Sequence, residues 1–226
     1  MKRILFFPGF LEDVRTFEPL IPFFREKYLI EIVHYRHLLD NIRTHKPQIS
    51  DFVQDVIAEY KITADDMLIG HSFGGWVVAH IQGKIALKGV LLSAFTQSDR
   101  AIGGKFGGTK LGKWFIRKGF FKSWLFHFLG KMRYRNSPAK FVVLHCFEIA
   151  KKWEDIYHLK IVQLIVNQPD AQPLLPTLRI HNATDEVIRP PREAYITVGG
   201  HHFVHYVHAE EVAGYILDFY LADERR

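Results

Sequence analysis

The stretch Met67-Leu68-Ile69-Gly70-His71-Ser72-Phe73-Gly74-Gly75-Trp76 decides the fold. Its first residues are a short apolar run of the kind that forms a buried strand. Trp76, Val77, His80 and Ile81 then recur at helical spacing. Between the two lies Gly70-His71-Ser72-Phe73-Gly74, the pattern G-x-S-x-G. A chain that reverses from strand to helix within these residues needs glycine two positions either side of the serine, because a Cβ there would clash. The serine is then left in a strained conformation with its hydroxyl exposed. At average glycine usage the pattern arises by chance in roughly one chain in ten of this length. Its placement directly after a strand and directly before a helix makes it far more specific. The plainer alternative is a glycine-rich strand–helix turn that binds phosphate through its N–H groups.

Outward from this turn, five more apolar runs end at turn-forming or polar residues: Ile4–Phe7, Leu29–Tyr35, Gly89–Ala94, Thr177–His181 and Tyr195–Val198. Several are apolar on successive residues, as in strands covered on both faces. Phe52, Val53, Val56, Ile57 and Tyr60 follow helical spacing, and a last helix is expected from Ala209 to Leu221. Alternating strands and helices predict an α/β fold, a mainly parallel sheet of about six strands with helices on both faces. Residues 97–170 break the alternation and contain no convincing strand. They begin with Gly103-Gly104 and Gly107-Gly108 and then turn aromatic and helical. The organisation read from this is a core of residues 1–96 and 171–226 with a helical cap inserted at 97–170. Pro169 to Pro176 leads back to the sheet.

A serine hydroxyl needs a base, and the base an orienting acid. In folds with this turn, the acid and then the histidine follow later strands. Asp185 stands just after the strand Thr177–His181, with Glu186 beside it and Asp99 after the fourth strand as alternatives. The strand Tyr195–Val198 runs into Gly199-Gly200-His201-His202, which offers two candidate bases. Of the other histidines, His34, His37, His45, His127 and His158 are expected to be solvated or packing residues, and His205 and His208 to begin the last helix.

The 226 residues suffice for one sizeable domain. Cys146 is the only cysteine, which excludes an intrachain disulfide and a cysteine-built zinc site; it is expected to pack as a small hydrophobe. No apolar run reaches the ~18 residues of a membrane span. Lys2-Arg3 precedes an apolar run, but Pro8-Gly9 stops it short of a signal-peptide core. The expectation is a cytoplasmic protein.

These residues resemble those of the α/β-hydrolase superfamily, in a compact esterase- or lipase-like form. Members commonly carry Gly-His-Phe followed a few residues later by His-Pro-Glu-Glu-Val. Here His202-Phe203 precedes His208-Ala209-Glu210-Glu211-Val212 at that spacing, and the register selects His202 over His201. Members also carry His-Gly-x after the first core strand, where the x N–H helps to form the oxyanion hole. This sequence has Pro8-Gly9-Phe10, so the resemblance implies Phe10 and Phe73 as the backbone donors. Two departures stand out. Proline replaces the usual histidine at position 8, and sixteen residues between Asp185 and His202 leave no room for the usual helix.

What the resemblance implies is a serine hydrolase cleaving a carboxylic ester or thioester with an apolar group. Ser72 would be the nucleophile, His202 the base and Asp185 its orienting partner, with no metal and no organic cofactor. Amide, lactone or C–C bond cleavage would use the same residues, and a catalytically silent fold serving as a binding module is the alternative of another class.

The chain carries +6 overall, unevenly placed. Ser98 to Asn136 hold ten Lys and Arg against the single acid Asp99, a net of +9 that leaves −3 elsewhere. Phe106, Trp114, Phe115, Phe120, Phe121, Trp124, Phe126, Phe128 and Tyr134 are interleaved with them. The segment reads as aromatic cap packing with a solvated basic face, or as a docking surface for an anionic acyl carrier or membrane. With no recognition motif beside the charge, no nucleic-acid partner is expected.

Overall fold

Leu5 and Phe7 point to one side of the sheet and Ile4 and Phe6 to the other, and all four are fully buried. Such a strand needs layers on both faces. The computed structural model describes residues 2–42, 44, 47–101, 108–166 and 168–221. It contains six strands: β1 Arg3–Phe7, β2 Leu29–Ile32, β3 Met67–His71, β4 Gly89–Leu92, β5 Thr177–His181 and β6 Ile196–Thr197. They form one parallel sheet in the order β2-β1-β3-β4-β5-β6.

Helices α1 Arg36–Asn41, α2 Ile49–Tyr60 and α3 Phe73–Gln82 pack on the face of Leu5 and Phe7. The turns around Phe17 and Phe24, with Val212 and Ile216 of the last helix, cover the face of Ile4 and Phe6. The chain therefore leaves β1 towards one face and β3 towards the other. This divergence opens a crevice beyond the carboxyl ends of the two strands, where ligands of open α/β sheets bind.

Between β4 and β5 lie α4 Lys110–Arg117, α5 Trp124–Arg133, α6 Lys140–Lys152 and α7 Asp155–Gln163. Thr109 and Ser123 cap α4 and α5 by accepting the N–H groups of Gly112 and Phe126. Tyr134, Val143 and Phe147 form a small core with Leu11 and Phe203 of the sheet's loops. The expected glycine pairs up to Gly107, with Lys105 and Phe106, lie outside the described residues. Among the described residues of 97–170 there is no strand, and Ala101 forms only an isolated antiparallel bridge with Ile188.

The last described elements are the short helix α8 Val204–Val207 and the longer α9 Ala209–Leu221. His205 belongs to α8 and is fully buried, while His208 lies between the two; neither begins the last helix as expected. Several strands are shorter than their apolar runs. β4 stops at Leu92 because Ser93 takes φ 42°, and β2 stops at Ile32 although the Val33 N–H still bonds to Phe6. Cys146 is buried in α6. Among the described residues no helix is long and apolar enough to cross a membrane.

Candidate active site

Ser72 stands at the junction of β3 and α3 with φ 51° and ψ −117°, a region that L-residues rarely adopt. The turn closes because Gly74 touches the first strand: a Cβ there would lie 1.9 Å from the Phe7 carbonyl oxygen. At Gly70 a Cβ would meet the Gly74 carbonyl at 2.6 Å. Both glycines of the pattern are therefore sterically required. The first turn of α3 follows at once, so its unpaired N–H groups surround the serine side of the crevice.

Asp185 follows β5 and His202 follows β6. Their side chains meet, with His202 Nδ1 2.8 Å from Asp185 Oδ2. The other carboxylate oxygen accepts the N–H groups of Val187 and Ile188 at 2.8 and 3.0 Å. Burial would raise the Asp185 pKa, but the charge and hydrogen bond of His202 and these two N–H groups outweigh it and hold it at about 2. Burial would likewise lower that of His202, yet Asp185 and, less strongly, Glu12 and Glu186 raise it above its ordinary 6.5.

The alternative residues are occupied otherwise. Glu186 accepts a hydrogen bond from the Tyr134 hydroxyl at the end of α5 and lies 3.6 Å from the His201 ring. Asp99 pairs with Arg192 at 3.3 Å on the surface. His201 is about half exposed and adopts φ 57°. The short connection from Asp185 to His202 forms no helix; it is held by the Ala101–Ile188 bridge and by the Arg189 N–H bonding to Arg100.

Phe10 follows β1, and its ring packs on Phe121 and His158 from the segment between β4 and β5, with ring centres 4.9 and 5.7 Å apart. His158 is fully buried, and burial lowers its pKa to about 4.

Sequence reasoning did not find Glu12 and His71. Glu12 is buried, and its Oε2 accepts the Gly9 N–H at 2.8 Å and lies 2.8 Å from His71 Nδ1. His71 Nε2 lies 2.9 Å from the His202 carbonyl oxygen, which can only accept, so this nitrogen carries a proton. One carboxylate thus ties together the loop after β1, the residue before Ser72 and the backbone of His202. The His71 ring also packs between those of His202 and His205, with centres 4.6 and 4.4 Å away. The residue before the serine in G-x-S-x-G is unconstrained by the motif, so the only signal was the acid pair Glu12-Asp13 following the apolar Pro8 to Leu11 after β1. Glu12, His71 and His202 each bring one ligand-type atom within 4.8 Å of the others. Both nitrogens of His71 and Nδ1 of His202 already serve hydrogen bonds, and the set reads as a polar relay.

No protein-family model matches the chain, and no curated protein matches it significantly in sequence. Solved structures do match it. An enol-lactonase from Burkholderia xenovorans LB400 superposes with TM-score 0.66 at 14% identity, covering 96% of this chain and 90% of its own. MenH from S. aureus gives 0.59 at 17%, covering 100% and 95%. A putative aryl esterase from Burkholderia cenocepacia gives 0.67 at 14%, covering 100% and 92%. The parallel order of six strands, the turn at Ser72 and these superpositions agree: the chain has the α/β-hydrolase fold.

Proposed function

We propose that this protein is a serine hydrolase that cleaves a carboxylic ester or thioester bearing an apolar group. The observation that carries the reading is the strained backbone at Ser72, on the same sheet edge as the buried His202–Asp185 pair. Strain of about 1–3 kcal/mol at one residue persists only when the surrounding structure enforces it.

With Nδ1 hydrogen-bonded to Asp185, the neutral His202 ring keeps Nε2 free to accept a proton. Ser72 Oγ attacks the carbonyl carbon as His202 takes the hydroxyl proton. The N–H groups of Phe10 and Phe73 stabilise the developing oxyanion, each contributing about 3–4 kcal/mol. Collapse breaks the bond to the alkoxide or thiolate, which leaves with the proton from His202, and an acyl-serine remains. Water, deprotonated by the same imidazole, then releases the acid and restores Ser72. Proteins of similar fold, among them an enol-lactonase and a putative aryl esterase, fit ester chemistry in the wider sense.

The test is steady-state hydrolysis of p-nitrophenyl esters and acyl thioesters of graded chain length by wild type and Ser72→Ala. Turnover that rises with acyl length and is abolished in the variant supports the reading. Turnover unaffected by Ser72→Ala contradicts it.

A further inference from the structure

Helix α5 is apolar on two opposite faces. Phe126, His127 and Gly130 face inward, with the His127 ring stacked on Phe147 and Gly130 so close to Phe147 that a Cβ would lie 2.1 Å from that ring. At ~100° per residue, Trp124, Leu125, Phe128, Leu129 and Met132 share an arc of about 140° on the other side. All five are exposed, from 47% for Phe128 to 74% for Trp124. A helix on a solvated surface normally carries charged residues there. By the same ~100° advance, Lys131 and Arg133 fall about 20° and 40° beyond the two edges of the arc. Helix α4 repeats the pattern. Gly112 and Ile116 are buried, whereas Leu111, Trp114 and Phe115 are exposed on the far side beside Lys110 and Arg117.

The local sequence carries charge of one sign, although Lys122 pairs with Asp155 at 3.2 Å and Arg133 lies 3.7 Å from Glu186. Residues 108–140 contain nine Lys and Arg and no Asp or Glu. Tryptophan and phenylalanine in the centre with lysine and arginine at the margins is the composition of helices that lie in a membrane interface. Their rings enter the acyl boundary while the long cationic side chains reach the headgroups. An acidic carrier protein would satisfy the charge but would not require so many solvent-exposed apolar side chains. We infer that α4 and α5 dock the protein on an anionic lipid surface. The same elements touch the site: Tyr134, just after α5, bonds to Glu186 beside Asp185, and Phe121 packs on Phe10. Docking would set the crevice against the phase in which an apolar ester dissolves; this part of the inference rests on the proposed hydrolase activity, whereas binding itself does not.

Cosedimentation of the full chain with vesicles tests it. Phosphatidylcholine vesicles are compared with phosphatidylcholine–phosphatidylglycerol vesicles, for wild type, Leu125→Gln/Leu129→Gln/Met132→Gln, and Lys113→Gln/Lys118→Gln/Lys131→Gln. Wild type should bind the anionic vesicles more than tenfold better than the neutral ones, and lose most of that preference at about 0.5 M salt, where screening is strong. Both variants should lose binding while hydrolysing a short water-soluble ester at the wild-type rate. Absence of binding to anionic vesicles overturns the inference. So does a dimer in sedimentation velocity that the apolar variant dissociates, since a second copy then covers the face. An inactive wild type that binds anionic vesicles would sink the hydrolase reading and leave the docking surface standing.

Discussion

The backbone of Ser72 offers a readout independent of any substrate. Glycine accepts φ 51° and ψ −117° without a Cβ clash, at an unfolded-state entropy cost of about 0.5–1 kcal/mol, against strain of about 1–3 kcal/mol in an L-residue. Ser72→Gly should therefore match or exceed Ser72→Ala in stability; chemical denaturation of the two measures the difference. A Gly variant less stable than Ala by 1 kcal/mol or more would mean that the serine is not strained. For His202 as the proposed base, its loss should cost ~10³-fold or more in kcat, and loss of the half-exposed His201 little. Because the His202 pKa is raised, and only its neutral form can accept the serine proton, activity falls as pH drops through that raised value. The acid limb of kcat/KM should lie above pH 6.5. Glu12→Gln removes one of the charges that raise it and loosens the tie to Gly9 and His71. It should move that limb to lower pH and reduce kcat about 10–100-fold, with KM nearly unchanged. A packing defect alone would leave the limb where it is. Asp185 and Ser72 were readable because motif and strand order constrain them. The choice of His202 came from a resemblance in the residues that follow it. Glu12 and His71 were not readable, since nothing in one sequence tells a buried carboxylate–imidazole pair from two solvated side chains.

At the level of elements, Trp76 joins α3 to the helices between β4 and β5. It is fully buried, stacks on Phe95 with ring centres 5.0 Å apart, and donates from Nε1 to the Leu164 carbonyl at the end of α7. Trp76→Phe keeps an aromatic ring and leaves that carbonyl unpaired, which should destabilise by about 1–3 kcal/mol and lower Tm by several degrees. An unchanged Tm would show that the helices between β4 and β5 are not anchored there. The elements themselves were largely legible, because each core strand is a short apolar run and α2, α3 and α9 keep helical spacing. Their ends were less so. Gly89–Ala94 reads as one run, yet Ser93 turns into the left-handed region and ends the pairing two residues early. Val33 and Tyr35 are buried without belonging to a strand, so their burial looks the same in sequence as β2 itself. The solvent-facing apolar arc of α5 was only half legible, since the sequence left interior packing and a docking surface open as alternatives.

Across the whole molecule, the sheet order explains how four separated segments reach one place. The loops after β1, β3, β5 and β6 all leave the same edge, and the chain's opposite departures from β1 and β3 open the crevice between them. Of all the serines in the chain, the account singles out one, and covalent labelling addresses that directly. The intact protein should be treated with a fluorophosphonate and weighed, and its peptides then mapped. The account predicts a single adduct on Ser72, absent in Ser72→Ala and strongly slowed in His202→Ala. No adduct, or one on another residue that survives Ser72→Ala, would contradict it.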